Sequence, residues 1–215
     1  MIKAAIFDLD GVIVDTARYH YLAWKRLASE LGIDLTVEQN ELLKGVSRMR
    51  SLEIILDLGG IKVSDHEKDR LADKKNGWFV EFINTIKPEE MFPGVKELLN
   101  GIRSKGLKVA LASSSKNAAT VIKLLNIQNE FDVIVDGTMT TRSKPDPEIF
   151  LLAASKLGVA PRHCVVFEDA EAGVVAAIAA GMKCIGIGTM SKLGKANLVI
   201  KKTGDFKLET LITEF

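Results

Sequence analysis

Cysteine is nearly absent from the chain: Cys164 and Cys184 are the only two in 215 residues. Each sits inside an apolar run that reads as a buried strand, so neither a disulfide framework nor a thiolate metal site is expected, and both should be reduced core thiols of a cytoplasmic protein. An excess of one charge is absent too, since 29 Lys plus Arg face 28 Asp plus Glu, for a net charge of +1 and a pI of about 7.7. Without a basic field there is no electrostatic basis for holding nucleic acid or an acidic membrane, and neither partner is expected. Long apolar runs are missing: residues 174–180, between Gly173 and Gly181, form the longest stretch of small apolar residues, far short of the ~20 that span a bilayer. Met1-Ile2-Lys3 meets Asp8 and Asp10 before any cleavage-site pattern, so no secretion signal is expected. Internal repeats and low-complexity tracts are also lacking.

What remains is a core-forming composition, 47% hydrophobic and 27% charged, in a chain sized for between one and two domains. Short, often β-branched apolar runs at 4–7, 107–112, 133–135, 165–167 and 184–187 alternate with helical patterns at 116–125, 147–157 and 170–180. That alternation predicts an α/β fold, a doubly wound, Rossmann-like parallel sheet whose ligands bind beyond the carboxyl ends of the strands. Residues 15–86 show no strand pattern. Tyr19, Leu22, Ala23, Arg26, Leu27 and Leu31 trace a helical stripe ended by Gly32, and further helices are expected over 37–44, 49–58 and 64–83. Lys87-Pro88 and Phe92-Pro93-Gly94 then return the chain to the α/β body. The expected organisation is a discontinuous core, 1–14 and 87–215, with an inserted helical cap domain over 15–86.

Polar residues cluster where the strands should end. Asp8 and Asp10 follow the first run two residues apart, a spacing that lets both face one pocket. A carboxylate there can attack phosphorus, and a neighbouring one can move the proton. Ser113 follows the second run and can meet a phosphate oxygen, although Ser113, Ser114 and Ser115 also suit a helix cap. Ser143-Lys144-Pro145-Asp146-Pro147 follows the third and can fix an ammonium between nucleophile and phosphate. Glu168-Asp169 follows the fourth. A solvated turn, a cap and a surface lysine would each explain one segment, but all four converge on the same sheet edge. Four converging carboxylates with no Cys or His cluster call for a hard divalent cation, Mg²⁺ before any soft metal.

In this order, Asp8-Leu9-Asp10-Gly11, Ser113, Lys144-Pro145 and Glu168-Asp169 resemble the motifs of the haloacid dehalogenase superfamily of phosphotransferases. The resemblance implies Asp8 as nucleophile and Asp10 as general acid and base, with Ser113 and Lys144 supporting them. It also implies an Mg²⁺ site made by Asp8, Asp10 through its main-chain carbonyl, Glu168 and Asp169. Within the insert, Asp15-Thr16, His20, Trp24, Leu43 to Arg48 and Lys75-Asn76, and in the core Ser115-Lys116-Asn117, are similar to the β-phosphoglucomutase branch. That branch interconverts β-D-glucose 1-phosphate and glucose 6-phosphate through bound glucose 1,6-bisphosphate. The likeness implies catalytic roles for Thr16 and His20. It implies contacts to a small-molecule sugar phosphate from Trp24, Lys44, Gly45, Val46, Ser47, Arg48, Lys75, Asn76, Ser115, Lys116 and Asn117. Closure of the cap would exclude water, and the enzyme is expected to be a monomer. Trp24 also suits plain core packing, and His20 could bond Asp10 or merely satisfy a loop. Ala170 and Ser114 depart from the branch, where serine and alanine are usual. A phosphatase of small phosphorylated metabolites would need the same core residues, and a non-catalytic phosphoacceptor switch would need Asp8 without turnover.

Overall fold

The computed structural model describes residues 1–44 and 46–213. Six strands, β1 (Ala4–Phe7), β2 (Lys108–Ala112), β3 (Val133–Val135), β4 (Cys164–Glu168), β5 (Lys183–Ile187) and β6 (Leu198–Ile200), form one sheet. They run in the order β3-β2-β1-β4-β5-β6, every neighbour parallel. The chain crosses first to one side of β1 and later to the other, so a switch point falls at its carboxyl end. Register then sets the site: Phe7 pairs with Leu111 on one side and Phe167 on the other. The next residues, Asp8, Ala112 and Glu168, therefore lie side by side at the carboxyl end of the sheet.

Burial on both faces explains the near-continuous apolar reading of β1 and β4, whose residues are all buried. One face, with Phe7, Leu111 and Phe167, packs under α5 (Val95–Ser104) and α6 (Ala118–Leu124). The other, with Ile6, Ala110 and Val166, packs under α7 (Glu148–Leu157) and α8 (Glu171–Ala179). Stacked rings of Phe7 and Phe167, 4.4 Å apart, clamp β1 to β4 just below the carboxylates. Cys164 and Cys184 are buried and unpaired on β4 and β5, as expected of core thiols.

Between β1 and α5 the described residues form four α-helices and no strand: α1 (Ala17–Glu30), α2 (Val37–Asn40), α3 (Arg48–Leu58) and α4 (Asp65–Ile83). Their starts follow capping chemistry. Ser47 accepts from the Arg50 N–H at 3.2 Å and Ser64 from that of Glu67 at 3.3 Å, while Thr36 and Gln39 form a reciprocal capping box. The stripe expected on α1 is rotated. Ala23, Trp24, Leu27 and Ala28 are its buried residues, whereas Leu22 is 49% exposed and the Arg26 guanidinium lies outside over the Trp78 ring at 4.2 Å. The predicted helix over 37–44 stops at Asn40 and tightens into a 3₁₀ turn, Glu41–Leu43. α5 and β6 were not anticipated; β6 is a half-buried edge strand of three residues, too short to carry a periodic signal. Short helices α9 (Met190–Leu193) and α10 (Thr210–Thr213) complete the described chain. Among the described residues no helix is long and apolar enough to cross a membrane.

Candidate active site

The floor of the site is a buried charge cluster at the ends of β1 and β4. Lys144 has its ammonium 2.5 Å from Asp8 Oδ1 and 2.8 Å from Glu168 Oε2, with its side chain fully enclosed. The other Asp8 oxygen, Oδ2, accepts from the Asp10 N–H at 3.0 Å, and Glu168 Oε1 accepts from the Ala170 N–H at 3.0 Å. One oxygen from each of Asp8, Glu168 and Asp169 lies within 4.8 Å of the others. Two glycines make room for this. A Cβ on Gly11 would fall 1.9 Å from Asp169 Oδ2, and one on Gly173 would fall 2.1 Å from Glu168 Oε2. Gly11 also holds φ at +75°, which a side chain would strain.

The charges do not balance. Burial, then Glu168, Asp8 and Asp10, push the Asp169 carboxyl well above the usual carboxylate range. Burial also raises Glu168 to about 7 against the opposing pull of Lys144. Asp10 rises to about 8 through burial first and the charge of Asp8 second, and its Oδ1 has no hydrogen-bond partner. Burial works against the Lys144 ammonium, but Asp8 and Glu168 outweigh it and hold its pKa above the ordinary lysine value. One buried cation thus serves several acids. Oxygen-only donors, clustered and buried against glycine, fit a hard divalent cation.

Above this floor opens a cleft whose empty space, open solvent at its mouth included, is about 800 Å³. Its core side is the loop from β2 to α6, where Ser113 Oγ accepts from the Ser115 N–H and Ser115 Oγ from the Asn117 N–H, each at 3.2 Å. These hydroxyls fold the loop and turn Ser115, Lys116 and Asn117 to the cleft. The cap side carries His20, Trp24, Lys44, Val46, Arg48, Lys75 and Asn76. Asn76 Oδ1 accepts from Arg48 Nη2 and from Asn117 Nδ2, both at 2.8 Å. That shared oxygen joins α3 and α4 to the core across the cleft.

Lys75 is 2% exposed, with Nζ 2.8 Å from His20 Nδ1 and lying over the rings of Trp24 and Phe79 at 4.5 and 4.6 Å. His20 stacks on Phe79 at 3.9 Å. Burial, then Arg48, holds the Lys75 pKa well below the lysine value, and burial, then Lys75 and Arg48, does the same to His20. An anion placed between Arg48 and Lys75 would relieve both.

A model of the haloacid dehalogenase-like hydrolases matches residues 2–181. The chain belongs to that family. It is 45% identical over 215 residues to beta-phosphoglucomutase of Bacillus subtilis, covering 99% of this chain and 95% of that protein. It is 37% identical over 186 residues to the phosphorylated carbohydrates phosphatase of Thermotoga maritima, covering 85% and 83%. Among solved structures, beta-phosphoglucomutase from Clostridium difficile superposes with a TM-score of 0.96 at 46% identity, covering 100% of this chain and 96% of that one.

The carboxylates sit where the sheet switches sides, but not every expected residue reaches the cleft. Lys144 and Glu168 lie beneath it, behind Asp8. Thr16 is 1% exposed at the start of α1, with its hydroxyl buried and unpartnered. Ser47 caps α3 and opens onto an adjoining groove shared with Arg48 and Lys116, away from the cleft itself. Gly45 lies outside the described residues. The carboxylate of Asp10 is not in the three-acid cluster, which leaves only its main chain for a metal. Ala17, Asn40 and Ser51 line the cleft although the sequence drew no attention to them; their only signal was proximity to Thr16, Leu43 and Arg48.

Proposed function

We propose that the chain is a mutase interconverting β-D-glucose 1-phosphate and D-glucose 6-phosphate through an aspartyl phosphate on Asp8 and β-glucose 1,6-bisphosphate. The observation that carries this reading is the cleft's two-sided chemistry: carboxylates Asp8 and Asp10 on the floor face the cations Arg48 and Lys75 on the cap. A bisphosphate has two anionic ends on one sugar. The reacting end belongs at the floor and the other at Arg48, where a bidentate guanidinium pair holds a phosphate well.

In the first half-reaction an Asp8 oxygen attacks phosphorus, the bond from phosphorus to the sugar oxygen breaks, and protonated Asp10 delivers its proton to that oxygen. An acid raised to about 8 is largely protonated at neutral pH and suits that task. In the second half-reaction the Asp10 carboxylate takes the proton from the 6-hydroxyl of β-glucose 1-phosphate while that oxygen attacks the phosphorus on Asp8, and the bond from phosphorus to the Asp8 oxygen breaks to return the free carboxylate. Lys144 orients Asp8 throughout and Ser113 meets a phosphoryl oxygen. The acid cluster suits Mg²⁺, held by Asp8, Glu168, Asp169 and the Asp10 carbonyl, which when bound supplies the positive charge that lets an anionic nucleophile approach a phosphate.

Trp24, Lys44, Val46 and Ser47 form or flank the sugar pocket in this reading, with Lys75, Ser115, Lys116 and Asn117 beside the distal phosphate. In this reading Thr16 and His20 set the position of Asp10 as the cap closes. The bridge through Asn76 supports exclusion of water from the aspartyl phosphate. A phosphatase shares this floor, and the similarity to the Thermotoga phosphatase keeps that reading in play; the cap bridge favours the mutase. Glucose 1,6-bisphosphate radiolabelled in its phosphates should mark the wild-type protein on Asp8 and leave Asp8→Asn unmarked. Equal labelling of the two would refute the aspartyl phosphate.

A further inference from the structure

We infer that Asn40 is a specificity-determining residue that reads a ring hydroxyl of the hexose, an assignment that rests on the mutase reading above. Asn40 closes α2, is 91% buried and forms part of the cleft wall. Its backbone N–H is spent on the Thr36 carbonyl at 3.1 Å, but among the described residues its side-chain amide makes no hydrogen bond. The other uncharged amide and hydroxyl groups on the cap wall are engaged: Ser51 donates to the Leu43 carbonyl at 3.4 Å, and Asn76 accepts from Arg48 and Asn117.

The Asn40 amide atoms are not among the fully buried unpartnered ones, so they keep access to solvent and can exchange water for a ligand group. The cleft side is where the partner must come from. The 3₁₀ turn Glu41–Leu43 brings Asn40 and Leu43 onto one side, and both line the cleft. An apolar patch with a neutral donor-acceptor amide beside it suits a sugar ring, whose hydroxyls donate and accept. The charged wall residues do not offer this. Arg48 and Lys75 only donate, and on the mutase reading the Asp10 carboxyl is committed to the reacting oxygen. The Thr36–Gln39 capping box, not the Asn40 side chain, stabilises α2, so the amide is free for recognition.

The test measures kcat/KM of wild type, Asn40→Leu and Asn40→Ser on β-glucose 1-phosphate and on its 2-, 3- and 4-deoxy analogues. For the parent sugar, both substitutions should lower kcat/KM by about tenfold or more. For one deoxy analogue, wild type should already be slowed and the substitutions should cost little further. Turnover of that analogue at near wild-type rate also shows that the variants are folded. A uniform loss on all four sugars, or no loss on any, overturns the assignment. Failure of wild type to make glucose 6-phosphate from the parent sugar overturns the mutase reading, and the assignment with it.

Discussion

A Cβ on Gly11 would lie 1.9 Å from Oδ2 of Asp169. The glycine after the first acidic pair is thus the seat of the last acid, and two distant segments of sequence meet with no room for a methyl group. Gly11→Ala should displace Asp169 and strain a backbone held at φ +75°, lowering kcat by about 10²-fold or more while raising the Mg²⁺ concentration needed for half-maximal activity. An unchanged Mg²⁺ requirement would show that the contact does not shape the metal site. Gly173→Ala, against Glu168, should act alike.

Removing the cation under the floor is a sharper perturbation. Lys144→Met leaves Asp8 and Glu168 buried without their shared ammonium, and breaking such a pair costs about 3–5 kcal/mol. A drop in Tm on the order of 10 °C is expected, with turnover lost as well. A thermal scan showing wild-type Tm would mean that the cluster is far better solvated than its burial implies.

Lys75 predicts the opposite balance between stability and activity. Its folded pKa is depressed by burial and then by Arg48, so between that pKa and the unfolded value of about 10.4 the unfolded chain binds the extra proton. Stability therefore rises as pH climbs toward the unfolded value and is lost as pH falls. Lys75→Met should raise Tm by a few degrees near neutral pH, with the gain shrinking as pH approaches about 10, while kcat/KM falls. A gain that grows with pH would contradict the sign.

The bridge through Asn76 Oδ1 makes a prediction about water. Asn76→Ala or Asn117→Ala removes a 2.8 Å contact between cap and core, which should increase inorganic phosphate released per glucose 6-phosphate formed. Stopped-time assays of both products measure that ratio. No change would place the barrier to water elsewhere.

Legibility in the sequence followed physical locality. Asp8, Lys144 and Glu168-Asp169 each stand just beyond, or in the loop after, an apolar run, so the end of a strand marked them, and parallel register then brought them together. What stayed hidden depends on contacts between distant segments. Neither the seating of Asp169 on Gly11 nor that of Glu168 on Gly173 leaves a local pattern. Leu22 matched a helical stripe in spacing, yet the buried arc of α1 is fixed by what α4 presents, and Leu22 faces out. Ser47 lies among residues of the expected pocket, but its hydroxyl serves the start of α3. Asn40 had nothing local to announce it, because a lone amide in a polar helix becomes informative only when its surroundings are known.

The central claim is tested most directly by incubating purified protein with Mg²⁺, β-glucose 1-phosphate and a trace of glucose 1,6-bisphosphate, reading glucose 6-phosphate and inorganic phosphate in parallel. Glucose 6-phosphate accumulating without matching phosphate release is the predicted result. Phosphate release without glucose 6-phosphate would contradict it and make the protein a phosphatase.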